Sequence, residues 1–298
     1  MTTATPTITL NNGVEMPILG LGVFQSPPEE TAAAVEAAIE SGYRLIDTAA
    51  AYGNEHEVGE GIRRSGIDRR QMFVTTKLWI SDYGSEQALV GLDGCLRRLG
   101  MDYVDLFLLH HPVPTDFDAT MEAYKALERA LGDGRVRAIG VSNFSETHLE
   151  WLVARTGVVP ALNQVELHPF FAQPALRAFH RTHAIATQAW SPLGGINVYR
   201  PADPNEVRNA LGHPTIVELA KTHGKTPAQV VLRWHIEHEI STIPKSVKPH
   251  RIEENMDVFD FSLSPDEVAA IDSLDTGVRG GPDPETIDRV RFPLTVEN

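Results

Sequence analysis

Short apolar runs alternate with segments of helical pattern from one end of the chain to the other. Most of the runs are almost continuously apolar, as expected for strands buried on both faces. The segments between them predict helices: Gly42 and Gly100 mark the ends of two, and Ser145 is expected to cap a third. The eight predicted strands occupy residues 18–22, 44–49, 73–79, 104–111, 136–143, 161–167, 184–190 and 240–246.

The eight strand–helix units predict an α/β protein with a closed parallel barrel, the (β/α)8 TIM barrel, rather than an open sheet. Residues 1–17 are expected to form an N-terminal β-hairpin that turns at Asn12-Gly13 and closes the bottom of the barrel. Because no linker divides the chain, residues 1–298 are expected to be a single domain. A polar stretch at 194–214 and a Gly- and Pro-rich tail at 275–298 interrupt the pattern. We expect long loops over the C-terminal face, with 194–214 as a cover.

The composition excludes several classes of protein. The chain has 298 residues, one cysteine, and a net charge of −14 from 26 basic and 40 acidic side chains. One cysteine excludes an internal disulfide and a cysteine-rich metal site, which fits a reducing cytoplasm. The negative charge disfavours nucleic-acid binding. The sequence has neither a signal peptide nor an apolar run of membrane-spanning length, so we expect a soluble cytoplasmic protein.

Ionisable side chains stand at or just after the ends of three successive predicted strands. Asp47, Lys77 and His110 end the second, third and fourth strands, and Tyr52 follows the second strand in its loop. Because the carboxyl ends of the strands of a parallel barrel meet at one mouth, these side chains are expected to surround one cavity. Each alone is more often a structural group, and Asp47 with Lys77 is also explained as an internal ion pair. Four such groups at matching strand ends are harder to explain in that way.

This set of groups suits the protonation of a carbonyl oxygen. A phenol has a pKa of about 10 and is a poor acid at neutral pH. A lysine ammonium about 4 Å away, at an effective dielectric of about 20, stabilises the phenolate by roughly 4 kcal/mol, or about three pKa units. Asp47 would keep Lys77 charged, and Lys77 would make Tyr52 a proton donor. His110 would donate a hydrogen bond to the same oxygen.

A dinucleotide could supply the hydride for such a reaction. No G-x-G-x-x-G fingerprint opens a helix after any predicted strand, which argues against a Rossmann domain. The barrel mouth is the alternative, because Asn143, Gln164 and Trp190 end the fifth, sixth and seventh strands. The two amides could bond a carboxamide and the indole could stack on a nicotinamide ring. Taken singly, such amides are usually turn residues, and Trp190 is also a candidate core residue.

A cluster of basic and hydroxyl side chains lies at the end of the eighth strand of this acidic chain. Lys245, Ser246, Lys248, His250 and Arg251 stand at the start of the next predicted helix. Clustered charges are usually a solvated surface, but a lysine, a hydroxyl and an arginine beside a helix N-terminus also form a good phosphate site. The cluster favours NADPH over NADH, because only NADPH carries the additional phosphate.

Together these motifs resemble the aldo-keto reductase superfamily, and most of all its bacterial 2,5-diketo-gluconate reductase-like branch. The resemblance runs from Thr7 to about Leu274. Its motifs are GYRLIDTAAAYGNE (42–55), TTKLW (75–79), LLHHP (108–112), IGVSNF (139–144), NQVELHP (163–169), WSPLG (190–194) and IPKSVKPHRIEEN (243–255). The resemblance implies that the catalytic residues are Asp47, Tyr52, Lys77 and His110.

The resemblance also implies the contacts of cofactor and substrate. By motif, the residues expected to bind NADPH are Ser142, Asn143, Gln164, Trp190, Ser191, Leu193, Lys245, Ser246, Arg251, Glu254 and Asn255. The substrate pocket is expected to be lined by Phe24, Trp79, His110 and His111. His111 departs from the pattern, because members commonly carry Trp directly after the catalytic histidine. A smaller, polar and titratable wall bears on substrate preference more than on the chemistry.

The expected function is NADPH-dependent reduction of aldehydes or ketones, with Tyr52 as general acid and keto-sugar acids such as 2,5-diketo-D-gluconate as candidate substrates. One alternative is an NADPH-binding regulatory or sensing subunit with little turnover. Another is a different barrel enzyme, a metal-dependent hydrolase or a phosphate-sugar isomerase, whose ligand set or glycine loop is not apparent. We expect a small carbonyl substrate and no metal, nucleic acid or membrane partner. The resemblance implies a monomer.

Overall fold

Eight parallel strands form the centre of the fold. The computed structural model describes residues 5–194 and 209–298, and in this part of the chain an antiparallel hairpin, Thr7–Thr9 (β1) and Glu15–Pro17 (β2), precedes them. The parallel strands are Leu21–Gly22 (β3), Leu45–Asp47 (β4), Phe73–Leu78 (β5), Val104–Leu109 (β6), Val136–Ser142 (β7), Leu162–Glu166 (β8), Ala186–Trp190 (β9) and Ser241–Thr242 (β10). Each strand pairs with the next one along the chain.

The sheet closes on itself, which confirms the predicted barrel. Parallel bridges join Leu19 to Thr242 and Gly22 to Lys245, so that β3 meets β10. The approach is close enough to require glycine: a Cβ atom on Gly22 would lie 2.7 Å from the carbonyl oxygen of Ile243. Closure leaves no free sheet edge and brings the carboxyl ends of all eight strands around one mouth.

Helices surround the barrel. Six of them connect successive strands from β3 to β9, and these are Pro28–Glu40 (α1), Glu55–Arg64 (α2), Ser85–Leu99 (α3), Phe117–Gly132 (α4), Glu146–Val153 (α5) and Pro174–Thr182 (α6). Two further helices, Pro214–His223 (α7) and Pro227–Glu237 (α8), lie between β9 and β10, and Pro249–Met256 (α9) and Pro265–Asp272 (α10) follow β10. Among the described residues, no helix is both long and apolar enough to span a membrane.

The predicted helix ends agree with the structure. Gly100 ends α3 with a left-handed φ of 66°, and Gly42, with φ of 102°, follows directly after the last turn of α1. Ser145 caps α5: its side chain accepts a hydrogen bond from the His148 amide, and the His148 ring accepts one from the Ser145 amide. A histidine therefore completes the capping box in which Glu or Gln is usual.

The hairpin closes the bottom of the barrel, as predicted. Leu10 and Met16 are buried and pack with Leu45 and Leu162, whose side chains fill the lower part of the interior. The side-chain amide of Asn12, in the turn, donates to the Arg137 carbonyl oxygen near the start of β7. The open end of the barrel is therefore the other one, where the strands finish.

The barrel interior changes from apolar to polar along each strand. Because side chains alternate, residues two apart point to the same face. Leu45 and Phe73 contribute to the apolar base, whereas Asp47 and Lys77, two and four positions further on, are polar and buried. The polar layer lies at the carboxyl ends of the strands, where the site was expected.

The tail after α10 folds back over the barrel mouth. The indole Nε1 of Trp79, directly after β5, donates to the Leu294 carbonyl oxygen at 2.8 Å, and Arg98 in α3 donates to the Glu297 carbonyl oxygen at 2.7 Å. Of the predicted cover at 194–214, residues 195–208 lie outside the described residues. The remainder contains one 3-10 turn, Ala210–Gly212, and the first residue of α7.

Candidate active site

Asp47 and Lys77 form a buried ion pair at the mouth of the barrel. Lys77 Nζ donates to Asp47 Oδ1 at 2.6 Å and to the Thr48 carbonyl oxygen at 2.8 Å, and the Lys77 side chain has no exposed surface. Burial lowers the pKa of Lys77 and raises the pKa of Asp47. The contact between ammonium and carboxylate opposes both shifts, so each group favours the charged form of the other.

Tyr52 brings a phenol to the same ammonium. A 3-10 turn, Ala50–Tyr52, follows β4 and ends at Gly53, whose φ of 67° turns the chain into α2. Lys77 Nζ lies 3.5 Å from the Tyr52 hydroxyl and 5.0 Å from the ring centroid. The sequence placed the carboxylate, the ammonium and the phenol around one mouth. In the structure they form a chain of contacts from Asp47 through Lys77 to Tyr52.

Two histidines and a tryptophan form one wall beside Tyr52. The ring centroid of His110, directly after β6, lies 5.6 Å from that of Tyr52 and 5.1 Å from that of Trp79. His111 stacks on His110 at 5.0 Å with an interplanar angle of 3°. Burial, together with the Lys77 charge, lowers the pKa of His111 to about 3. The expected titratable wall is therefore a neutral one at physiological pH.

Hydrogen-bonded side chains form the opposite wall. Gln164 Nε2, in β8, donates to Asp47 Oδ2 at 2.7 Å, which links this wall to the ion pair. Asn143, with a left-handed φ of 66°, donates through Nδ2 to the His110 carbonyl oxygen and accepts from Trp190 Nε1 at 2.8 Å. The Ser142 hydroxyl donates to the backbone oxygen of Gln164. The structure thus brings together the four residues predicted at the ends of β7, β8 and β9.

A cavity of about 450 Å³ lies between these walls. It is bounded by most of the residues predicted for catalysis, nicotinamide and substrate: Phe24, Asp47, Tyr52, Trp79, His110, His111, Ser142, Asn143, Gln164, Trp190, Ser191 and Lys245. Lys77 lies beneath it, buried behind Asp47 and Tyr52.

The other predicted cofactor residues lie away from the cavity. Ser246 is buried and accepts a hydrogen bond from the Lys248 amide, while Arg251 is exposed in the first turn of α9. Glu254 accepts a hydrogen bond from the Thr226 hydroxyl, and Asn255 is buried in α9. Leu193, after β9, does not line the cavity either.

The tail supplies a part of the cavity that the sequence did not predict. Its lining residues are Pro282, Arg291, Phe292, Pro293 and Leu294. The Phe292 ring stacks near His111 at 6.3 Å. The tail has no periodic pattern, so its sequence did not show which of its residues return to the strand ends.

A comparison with known proteins decides the family. A model of the aldo/keto reductase family matches residues 18–276. The chain belongs to this family. Aldo-keto reductases use NADP(H), and the chain is an NADP-dependent oxidoreductase.

The relatives of this aldo-keto reductase match it over almost their full length. It is 57% identical to morphine 6-dehydrogenase of Pseudomonas putida over 288 residues, 96% of this chain and 97% of that protein. It is 46% identical to methylglyoxal reductase DkgA of Escherichia coli strain K12 over 285 residues, 95% of this chain and 98% of that protein. The solved structure of Bombyx mori aldo-keto reductase in complex with NADP has a TM-score of 0.86 at 34% identity, covering 98% of each chain.

Proposed function

We propose that this enzyme reduces the carbonyl group of aldehydes and ketones with NADPH and that Tyr52 donates the proton. The observation that carries the proposal is the contact of Lys77 with both Asp47, at 2.6 Å, and Tyr52, at 3.5 Å, directly beneath the cavity. A carbonyl oxygen beside the Tyr52 hydroxyl would accept its proton more readily, because the Lys77 ammonium stabilises the phenolate that remains. Asp47 would keep that ammonium charged in spite of its burial.

His110 would hold the same oxygen in place. Burial, with smaller contributions from His111 and Lys77, keeps the pKa of His110 well below its usual value, so the ring is neutral at pH 7. A neutral imidazole retains one N–H donor. A donor aimed at the oxygen that becomes negative in the reaction stabilises the transition state more than the ground state.

The residues at the mouth fit the nicotinamide end of NADPH. Ser142, Asn143 and Gln164 combine hydroxyl and amide groups, which match the donors and acceptors of a carboxamide. The indole of Trp190 lines the cavity and is partly exposed, and it would provide a flat surface for a ring. When bound, the cofactor supplies the hydride to the carbonyl carbon. We assign the diphosphate contacts to the backbone around Ser191 and Leu193, which follow β9.

The cations around α9 fit the additional phosphate of NADPH. Lys245 and Arg251 are exposed, and within the described part of the chain neither side chain forms an ion pair. We propose that they hold the 2′-phosphate together with Ser246. We assign adenine contacts to Glu254 and Asn255, which lie on the same helix; Glu254 already accepts one hydrogen bond from Thr226.

The substrates we propose are small aldehydes and ketones, with keto-sugar acids such as 2,5-diketo-D-gluconate as one subclass to test. Aromatic rings of Phe24, Trp79 and Phe292 would pack on the carbon skeleton, and His111 would present a neutral polar edge. Two relatives are named for morphine and methylglyoxal, so carbonyl and alcohol compounds of both sizes belong in the same panel.

The first test is a panel of these compounds with NADPH and NADH, repeated with Tyr52→Phe. Loss of the proton donor should lower kcat by about 10²- to 10⁴-fold and leave the Kd for NADPH within about twofold. Tyr103→Phe removes a phenol that stacks on Arg69 before β6, at the other end of the barrel, and should leave kcat unchanged. Wild-type turnover by Tyr52→Phe would remove Tyr52 from the proposal, and NADPH binding without turnover of any carbonyl would favour a regulatory subunit.

We further propose that residues 1–298 form a single domain and that the enzyme is a cytoplasmic monomer. The single cysteine, Cys95, is buried, so it offers no exposed thiol for a disulfide between chains. Light scattering of the purified enzyme at micromolar concentration should give one species of the chain's mass, about 32.8 kDa.

A further inference from the structure

Glu166 is a buried carboxylate that the proposed chemistry does not use. It ends β8 two residues after Gln164, on the same inward face, and its side chain has no exposed surface. Its two oxygens accept hydrogen bonds from the backbone of the tail: Gly280 N donates to Oε1 at 2.7 Å and Gly281 N donates to Oε2 at 2.8 Å. His168 Nε2 lies 3.1 Å from Oε1.

The contacts around Glu166 favour its ionised form. Burial raises the pKa of Glu166, but the hydrogen bonds from His168, Gly280 and Gly281 outweigh this effect and leave the pKa below its usual value. Arg279 Nη1, 3.9 Å from Oε2, adds a positive charge. Hydrogen bonds to an ionised acceptor are stronger than neutral ones, and a buried carboxylate without donors is strongly unfavourable. Glu166 therefore holds residues 279–281 tightly.

This attachment lies against the residue proposed to stack on the nicotinamide. A Cβ atom on Gly281 would lie 2.5 Å from Cη2 of Trp190 and 2.9 Å from Oε2 of Glu166, so only glycine fits between the two. The next residue, Pro282, already lines the cavity. The tail thus enters the site directly at the point where Glu166 fixes it.

The other end of the tail is attached to α3 and to the 3-10 turn before it, Ile80–Asp82. Arg98 Nη1 donates to the Glu297 carbonyl oxygen at 2.7 Å, and Asn298 Nδ2 donates to Asp82 Oδ2 at 3.0 Å. Residues 291–294, which line the cavity, lie between the two attachments. Between them the segment is also held directly: Trp79 Nε1 donates to the Leu294 carbonyl oxygen at 2.8 Å, and Arg289 Nε donates to the Ile80 carbonyl oxygen at 3.1 Å.

We propose that Glu166 is a positioning residue for the substrate wall: its carboxylate fixes residues 279–281 beside Trp190, which places Pro282 in the cavity and directs the chain towards residues 291–294. The kinetic test of this inference rests on the proposed function, because it requires that the enzyme reduce carbonyl compounds. Its structural measurement, proteolysis of the tail, is independent of that reaction.

Glu166→Gln tests the assignment. The amide keeps the shape but has only one acceptor oxygen, so one backbone N–H of the tail loses its partner. We expect the KM for a bulky ketone to rise by about fivefold or more, with kcat and the Kd for NADPH within about twofold of wild type. Tryptic cleavage after Arg289 and Arg291 should become about tenfold faster, because the tail opens more often.

Two further variants make the test decisive. Glu297→Gln is the matched control, since it removes an exposed carboxylate of the tail whose side chain forms no ion pair or hydrogen bond within the described residues, and it should change neither KM nor cleavage. Gly281→Ala disturbs the same contact from the tail without altering a buried charge, and it should raise both KM and cleavage rate. It decides the matter if Glu166→Gln does not fold, as judged by its thermal unfolding.

Some results would overturn the assignment. One is a wild-type KM and cleavage rate in a folded Glu166→Gln or in Gly281→Ala. The other is an equal change in Glu297→Gln. Faster cleavage with no carbonyl reduction in the wild-type enzyme would reject the proposed function and leave the attachment by Glu166 intact.

Discussion

Lys77 is the residue on which the site is built. Its ammonium has no exposed surface and meets three oxygens, those of Asp47, Thr48 and Tyr52. Three acceptors match the three donors of an ammonium group. The position of Nζ is therefore defined from three sides, and Tyr52 is placed relative to it without depending on a flexible chain.

Asp47→Asn should change the pH dependence of turnover. Without the carboxylate, burial lowers the pKa of Lys77 further, so the ammonium loses its proton at a lower pH than in the wild type. We expect kcat to fall by about tenfold or more and the alkaline limb of the pH–rate profile to move to lower pH. The measurement is kcat against pH at saturating NADPH. An alkaline limb at the wild-type position would contradict the role of Asp47.

Among the secondary-structure elements, α9 has basic side chains at its N-terminus, where the helix dipole is already positive. Its first turn contains His250 and Arg251 and no acidic residue, and Lys248 precedes it. Cations at a helix N-terminus are unfavourable, whereas an anion there is favourable. The arrangement is the one expected where the helix and its cations share an anionic ligand.

Arg251→Ala should therefore separate the two cofactors. The variant removes one charge-assisted contact to the phosphate that NADH lacks, which should weaken NADPH by about 10- to 100-fold and NADH by less than about twofold. Fluorescence titration with each cofactor gives the two Kd values. Arg155→Ala, which truncates an exposed arginine just after α5, is the control. An equal loss for both cofactors would show that the cations form only a solvated surface.

Buried histidines affect the stability of the whole molecule. His180, in α6, is fully buried between Thr187 and Asn163, and burial lowers its pKa to about 3. His235, in α8, is also fully buried, and burial lowers its pKa to about 4. Both are neutral in the folded protein at pH values at which an unfolded chain would protonate them.

The free energy of unfolding should therefore decrease as the pH falls. Below about pH 6.5 the unfolded chain binds protons that the buried rings do not, so each such group contributes a slope of up to about 1.4 kcal/mol per pH unit until its folded pKa is reached. Urea unfolding between pH 7 and 4.5 measures the slope. His180→Gln should reduce the slope by about the contribution of one histidine. The same substitution at exposed His56 should leave the slope unchanged. An unchanged slope in His180→Gln would contradict this account.

The barrel and the groups at its mouth follow from local pattern. Periodicity identified all eight strands, and in a parallel barrel the ends of strands must converge, so Asp47, Lys77 and His110 were placed together without a structure. The glycine and Ser145 helix ends were equally local, because they depend on the backbone conformation and hydrogen bonding of a few residues.

Residues that act over long sequence separations were not predictable in this way. Trp79 bonds Leu294 across 215 positions and Gly280 bonds Glu166 across 114, and neither partner has a pattern that refers to the other. The neutral state of His111 was missed for a related reason: it depends on burial by surrounding segments, which a sequence pattern does not report.

The sequence by itself therefore determined the barrel and the charged and phenolic groups at its mouth, because both rest on periodicity and on where strands end. Its motifs, by resemblance, also indicated the family. Only the tertiary structure decided how the mouth is covered, which carboxylate holds the tail and which histidines stay neutral. These depend on packing between distant segments and on the loss of water around each group.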